Sequence, residues 1–136
     1  VHQYYPESRI IANDIGAITY YNNVQLLDTY GLGSIEVARL RKNDHGKFVD
    51  NKNLQTYIAN TAENRNFDIA LVFDEWVKMP DYFVKAGTLS INNNYICGGT
   101  TVSFYAVKKE NADKLRKQLS DFSKQTPKDV TIKIAY

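Results

Sequence analysis

Acidic and amide side chains follow three apolar segments of this sequence. Asn13 and Asp14 follow the first segment, Asp28 ends the second, and Asp74 with Glu75 follows the third. In an open α/β sheet, ligands bind beyond the carboxyl ends of the strands, so these side chains are expected to line one cleft. The alternative is structural, because Asp14 can cap a short helix and Asp28 can form a turn.

Aromatic side chains accompany the same segments. Tyr30 lies two residues after Asp28, and Trp76 lies two residues after Asp74. Aromatic rings at a cleft can pack against the faces of sugars, and Trp76 is the strongest candidate for such a contact. The alternative is that these rings fill the core or its margin.

The chain has few groups that fit nucleophilic or metal chemistry. It has two histidines, His2 and His45, which are far apart in sequence, and one cysteine, Cys97, which is interpreted as a small buried residue. The glycine pattern around Gly31 and Gly33 lacks the spacing of a phosphate-binding loop. The sequence therefore predicts no catalytic residue, no metal and no cofactor.

The elements that would position the candidate residues alternate between strand and helix. The expected strands are 9–13, 24–28, 67–73, 85–92, 101–108 and 130–134, and the expected helices are 15–21, 35–42, 54–63 and 110–124. The segment 67–73 is almost continuously apolar, which is typical of a central strand covered on both faces. The two strands 85–92 and 101–108 are expected to form an antiparallel pair, and 130–134 is expected to be an edge strand.

This alternation favours an α/β fold. We expect a three-layer α/β/α, Rossmann-like domain with a mainly parallel sheet and one or two antiparallel strands. At 136 residues and a net charge of +2, the chain is expected to form one soluble domain, 1–136, that does not bind nucleic acid. Its first residues look like the last turn of a helix that Pro6 breaks, which suggests a fragment of a larger membrane protein.

Three motifs carry a resemblance to a known family. They are 13–18 (NDIGAI), Leu27-Asp28 with Gly31-Leu32, and 92–105, which includes Cys97-Gly98-Gly99. Together they resemble the soluble C-terminal domain of bacterial polytopic membrane glycosyltransferases of the GT-C type, similar to dolichyl-phosphate-mannose-protein mannosyltransferases.

The resemblance implies attachment to a membrane-embedded portion of the same chain, on the extracytoplasmic face, in an enzyme that uses a lipid-linked sugar donor. It implies a noncatalytic accessory domain, because the catalytic acidic residues of that family lie in the membrane part; the domain would contact a carbohydrate or a lipid-linked acceptor. The alternative is a free-standing domain that binds a small molecule such as a carbohydrate, or another protein. For either function, the candidate ligand-binding residues are Asn13, Asp14, Asp28, Tyr30, Asp74 and Trp76.

Overall fold

The computed structural model describes residues 1–42, 49–93 and 98–136, and these residues form one six-stranded sheet with helices packed against it. The strands are β1 (Arg9–Ala12), β2 (Gln25–Asp28), β3 (Ile69–Val72), β4 (Val84–Ile91), β5 (Thr101–Ala106) and β6 (Val130–Ile134). The helices are α1 (Gly16–Tyr21), α2 (Ile35–Lys42), α3 (Lys52–Arg65) and α4 (Ala112–Ser123), and a short 3-10 turn, Lys109–Asn111, precedes α4. The elements expected from sequence are all present, with ends that differ by a few residues.

The direction of the strands contradicts the expected fold class. The strand order is β2-β1-β3-β5-β4-β6. The pairs β1–β2 and β1–β3 are parallel, whereas β3–β5, β4–β5 and β4–β6 are antiparallel. The prediction of a mainly parallel, Rossmann-like three-layer fold was therefore wrong, and the domain has a mixed, mostly antiparallel sheet.

The connections between strands explain this difference. A parallel pair needs a crossover of a dozen or more residues, usually a helix. Helices do separate β1, β2 and β3, and these three strands run parallel. The connection from β4 to β5 is shorter than such a crossover, and β5 runs back between β3 and β4, antiparallel to both. The strand β4 therefore points in the same direction as β3. The helix α4 then carries the chain across β4 to its far side, where β6 pairs antiparallel with β4.

The two faces of the sheet bury separate apolar cores. On one face, residues of α2 and α3 such as Val37, Leu54 and Ile58 pack against the strand residues Ile11 and Val72. On the other face, residues of α4 pack against the sheet, and the principal members of this cluster are Ile10, Ile69, Ala86, Ala106, Leu115 and Leu119. The strand β3 contributes to both cores, as expected for a central strand.

Local capping fixes the ends of α2 and α3. Asn51 accepts a hydrogen bond from the Leu54 amide at 2.8 Å, and Asn66 ends α3 in the left-handed region with φ 51°. Ser34 accepts a bond from the Val37 amide at 3.4 Å, which confirms its expected role at the start of α2. These caps hold α2 and α3 in place beside β1 and β2.

Candidate functional site

Asn13 ties the end of β1 to the chain that leaves β3. Its side chain is buried, its Nδ2 donates to the Phe73 carbonyl at 3.1 Å, and its Oδ1 accepts from the Phe73 amide at 3.0 Å. The amide group therefore acts as one further rung between two parallel strands, just beyond the last backbone rung. Both ends of this side chain are used by the fold.

Asp14 lies beside Asn13 but is exposed to solvent. The predicted helix cap was wrong, because α1 begins at Gly16 and places Ile15 in the cap position. Asp14 is thus one residue too early to accept bonds from the first helical amides. Together with Asn13 it lines a cavity of about 230 Å³ whose floor is formed by Leu71 and Phe104.

Asp28 closes the turn that follows β2. Its side chain is buried, and its two carboxylate oxygens accept from the amides of Tyr30 at 2.8 Å, Gly31 at 3.0 Å and Gly33 at 2.5 Å. Gly31 has φ +96°, and a Cβ there would lie 2.9 Å from the Ala38 amide nitrogen, so this position requires glycine. The turn-forming role expected of Asp28 is confirmed.

Tyr30 and Trp76 belong to one aromatic cluster at the same edge of the sheet, with interplanar angles of 50° between Tyr30 and Trp76 and 46° between Phe73 and Trp76. The ring centroids of Tyr30 and Trp76 are 5.1 Å apart, and those of Phe73 and Trp76 are 5.0 Å apart. The Arg41 guanidinium also lies over the Tyr30 ring, with its Cζ atom 4.1 Å from the ring centroid. Gly98 packs so closely on Trp76 that an added Cβ would overlap the indole ring. Contacts within this aromatic cluster therefore join the segments that follow β2 and β3.

Asp74 lies at the same edge but makes its bonds on the opposite side, toward β4 and β5. One carboxylate oxygen accepts from Lys85 Nζ at 2.6 Å and from Ser103 Oγ at 2.7 Å. The other accepts from the Tyr105 hydroxyl at 2.8 Å. We refer to Asp74, Lys85, Ser103 and Tyr105 as the Asp74 cluster.

Sequence reasoning missed Lys85, Ser103 and Tyr105. A usable pattern was present, because Thr101, Ser103 and Tyr105 alternate along β5 and so share one face of the sheet. The antiparallel pairing of β5 with β3, which the expected fold did not contain, brings that polar face beside Asp74. Asp74 thus shares no hydrogen-bond partner with Asn13 or Asp28 among the bonds described above, although all three residues follow neighbouring parallel strands.

One carboxyl group and one phenol of the cluster, those of Asp74 and Tyr105, have shifted pKa values. Burial by itself would raise the pKa of Asp74, but the hydrogen bonds from Lys85, Ser103 and Tyr105, with the charge of Lys85, outweigh it and hold the pKa below its ordinary 3.8. The pKa of the Tyr105 phenol is raised, first by burial and then by the Asp74 carboxylate, which accepts a hydrogen bond from the phenol and carries a negative charge. At neutral pH the cluster therefore holds an ionised carboxylate and a neutral phenol.

We expect Asp74 to stabilise the fold only above acidic pH. Since its pKa is lowered on folding, its contribution is present above about pH 4 and is lost as the pH falls through the lowered value. The side chain is 41% exposed, so this contribution is expected to be at most about 1 kcal/mol. Urea unfolding of the unmodified chain and of Asp74→Asn should differ near pH 7 and converge near pH 2. A difference that does not change with pH would contradict this explanation.

An apolar groove lies on the opposite face of the sheet. Its larger part has a volume of about 450 Å³ and lies between the N-terminal segment and α4. It continues toward the cavity beside Asp14, because Leu71, Leu89 and Phe104 line both. At its outer end the Tyr5 hydroxyl donates to Gln118 Oε1 at 2.6 Å. The groove is suited to contacts with apolar groups rather than to proton transfer.

Some sequence interpretations fall outside the described residues. His45 and Cys97 both lie in the segments 43–48 and 94–97, which the structure does not describe. Within residues 1–42, 49–93 and 98–136, no group of three histidine, cysteine, aspartate or glutamate side chains is arranged to hold a metal ion. Over the same described ranges, none of the helices has the length and apolar character needed to cross a bilayer.

These observations define a mixed α/β sheet domain with a polar cluster on one face and an apolar groove on the other. Residues 1–105 match the family described as Domain of unknown function (DUF8728), so the chain belongs to this family. The match includes β1 to β4, all of β5 except its last residue, and all six residues expected to bind a ligand. No curated protein and no solved structure matches the chain.

Proposed function

We propose that this chain is a noncatalytic accessory domain of a membrane glycosyltransferase that transfers a sugar from a lipid-linked donor. In this proposal the domain lies on the extracytoplasmic face and contacts the membrane-embedded portion of the same chain. The resemblance of the segments around Asn13, Asp28 and Gly98 to such domains motivates the proposal. The observation that carries it is a set of four exposed large apolar side chains, Tyr20, Tyr21, Leu32 and Ile35, which we call the apolar edge.

The apolar edge is strongly exposed. The exposed fractions are 82% for Tyr20, 68% for Tyr21, 75% for Leu32 and 60% for Ile35. The first two residues lie at the end of α1 and the other two lie around the start of α2. Single exposed apolar residues are ordinary, but a contiguous apolar patch is typical of a surface that contacts a partner, and the proposal places these four side chains in such a patch.

The helix α1 supports this interpretation. It has only six residues, and each of them is at least partly exposed. A helix this short gains little stability from its own hydrogen bonds, and most helices of this size depend on packing. A partner that covers Tyr20 and Tyr21 would supply such packing.

The contacts of the motif residues support a structural role for them. Asn13 uses both ends of its amide on the Phe73 backbone, and Asp28 uses both oxygens on the turn before α2. Groups that are fully engaged by the backbone hold the edge rigid and are poorly placed to exchange protons with a substrate. The proposal therefore assigns them the task of presenting the apolar edge.

A second candidate function is a free-standing domain that binds a carbohydrate or another small molecule. The half-exposed Asp74 cluster favours it, because this cluster has polar groups directed toward open cavities. The sequence upstream of Val1 distinguishes the two functions. About ten hydrophobic spans there would support the membrane enzyme, and a short polar segment would contradict it.

The proposal is tested with the full-length protein in membrane vesicles. Burying one large apolar side chain contributes roughly 1.5–3 kcal/mol. We therefore expect the double variant Tyr21→Ser, Leu32→Ser to reduce sugar transfer at least about tenfold per molecule of folded protein. The matched control is Tyr136→Ser, which removes a fully exposed tyrosine at the far end of the chain and should leave transfer unchanged. Normal transfer by the double variant would contradict the proposal.

A further inference from the structure

One face of the sheet carries a band of polar side chains on β4 and β5. Paired residues of an antiparallel ladder share a face, and the pairs on this face are Lys85 with Tyr105, Thr88 with Ser103, and Ser90 with Thr101. The helices α2 and α3 cover the other end of the same face, over β1 and β3. The polar band therefore lies beside the helical layer.

A β-bulge directs Lys85 onto this face. The register of β4 and β5 shifts between Lys85 and Gly87, so one extra residue of β4 is accommodated there. In a regular strand, residues three apart point to opposite faces, and Lys85 would then lie on the face opposite Thr88. Bulges of this kind often reorient a side chain next to a functional site. Beside the bulge, Gly87 permits the close approach of β6, since a Cβ there would lie 2.5 Å from the Lys133 carbonyl oxygen.

The reoriented lysine and Asp74 separate two open cavities. A cavity of about 260 Å³ is lined by Asp74 and Lys85 with Glu75, Thr101 and Ser103. A second cavity of about 390 Å³ is lined by the same Asp74 and Lys85, by the charged side chains of Lys78 and Asp81, and by largely apolar side chains that include Met79, Phe83 and Tyr105. Hydroxyl, ammonium and carboxylate groups thus face one space, and apolar surface adjoins them in the other.

The orientation of these groups is fixed although the ion pair itself adds little stability. The Lys85 and Asp74 side chains are 38% and 41% exposed, and an ion pair this exposed contributes at most about 1 kcal/mol. Asp74 is nevertheless held by three donors, and Ser103 is buried beneath it. A rigid, half-exposed set of donors and acceptors is what a binding site requires.

The charges around the cavities select the chemistry of the ligand. Lys85 is neutralised by Asp74, and Glu75 adds a second carboxylate to the smaller cavity. In the larger cavity Lys78 lies 3.9 Å from Asp81, so these two charges also offset each other. An anion would face these carboxylates, and a cation would face the ammonium group. A neutral, hydroxyl-rich compound can donate to the carboxylates, accept from Lys85 and pack its carbon face against apolar side chains.

We propose that the Asp74 cluster, with Glu75 and Thr101, is a binding site for a neutral saccharide. Hydroxyl groups of the sugar bond to Lys85, Glu75 and Thr101, and the carbon face of the ring lies toward Phe83 and Tyr105. The evidence for this site is its own contacts, so the site is proposed whether or not the domain belongs to a membrane enzyme. Its failure would leave the proposed function standing, because that function is tested by sugar transfer in vesicles.

The test is a titration of the 136-residue chain followed by backbone amide NMR shifts. The probes are the methyl glycosides of glucose, galactose, mannose and N-acetylglucosamine, with inorganic phosphate and spermidine as charged probes. We expect at least one glycoside to give saturable shifts at Lys85, Thr101 and Ser103, with a Kd of about 1–10 mM, as a few hydrogen bonds to a small ligand produce.

Variants identify the groups responsible. Lys85→Met is expected to weaken binding at least about tenfold, a change equivalent to one charge-assisted hydrogen bond. Thr101→Val keeps the shape of the strand and is expected to weaken binding about threefold, so it decides the matter if Lys85→Met does not fold. Lys114→Met is the matched control, since Lys114 is an exposed residue of α4 on the opposite side of the sheet. Shifts that saturate only with phosphate or spermidine, shifts at other residues, or no saturable shifts would each overturn the proposal.

Discussion

Replacing Asn13 with leucine is expected to lower the free energy of unfolding by roughly 1–3 kcal/mol. Leucine has a similar shape, so the change removes hydrogen bonds with little change in volume. The Phe73 amide then loses its partner in a buried position, whereas the Phe73 carbonyl keeps the bond that it accepts from the Trp76 amide at 3.0 Å. A buried backbone group without a partner costs roughly 1–3 kcal/mol, and one such group results here. Chemical denaturation at neutral pH measures the loss.

The neighbouring residue supplies the control for this prediction. Asp14→Asn changes an exposed side chain one position away and is expected to alter stability by less than about 0.5 kcal/mol. If Asn13→Leu were as mild as Asp14→Asn, the bonds between Asn13 and Phe73 would contribute little, and the structural role assigned to this motif would be wrong.

Asp28→Ala is expected to lower the free energy of unfolding by roughly 2–4 kcal/mol. The substitution removes the acceptor for the amides of Tyr30, Gly31 and Gly33. Hydrogen bonds to a charged group contribute roughly 1.5–3 kcal/mol each, and water reaches part of this turn and recovers some of that loss. The loosened turn should also free the start of α2, which hydrogen exchange of the α2 amides can detect.

Asp81→Ala is a suitable comparison for this prediction. The Asp81 side chain is 95% exposed and lies 3.9 Å from Lys78, so its removal should cost less than about 0.5 kcal/mol. Equal stability losses for Asp28→Ala and Asp81→Ala would show that the turn does not depend on its carboxylate.

The sequence was sufficient to predict the elements, and the strongest patterns gave the most accurate results. The near-continuous apolar run around β3 correctly indicated a central strand. The amphipathic spacing of Leu115 and Leu119 correctly indicated α4, and the alternation in β6 correctly indicated an edge strand. These predictions depend on local periodicity, which the sequence contains directly.

The direction of the strands was harder to predict from the sequence, because it depends on which strands lie side by side in the folded sheet. The apolar character of β3 fits a parallel or an antiparallel neighbour equally well once both of its faces are covered. The structure pairs β3 with β1 on one side and with β5 on the other. The partners of Asp74 follow from that second pairing, so the Asp74 cluster was missed together with the topology.

The candidate residues illustrate the same limit. Residue type and position after a strand correctly indicated that Asn13, Asp28 and Asp74 follow neighbouring parallel strands. The partner of Asn13 is 60 residues away in sequence. Ser103 and Tyr105, which bond to Asp74, are 29 and 31 residues away from it. Local sequence patterns do not extend over such separations. Their assignment as ligand-binding residues remains a prediction.

The most direct test of the proposed function compares two preparations in one assay of sugar transfer from a lipid-linked donor. The first is a set of membrane vesicles that contain the full-length protein, and the second is the purified 136-residue chain. A noncatalytic accessory domain predicts transfer by the vesicles and none by the chain alone. Transfer by the chain alone, abolished by Asp74→Asn or Asp28→Asn at unchanged folding, would contradict it, as would vesicles without donor-dependent transfer.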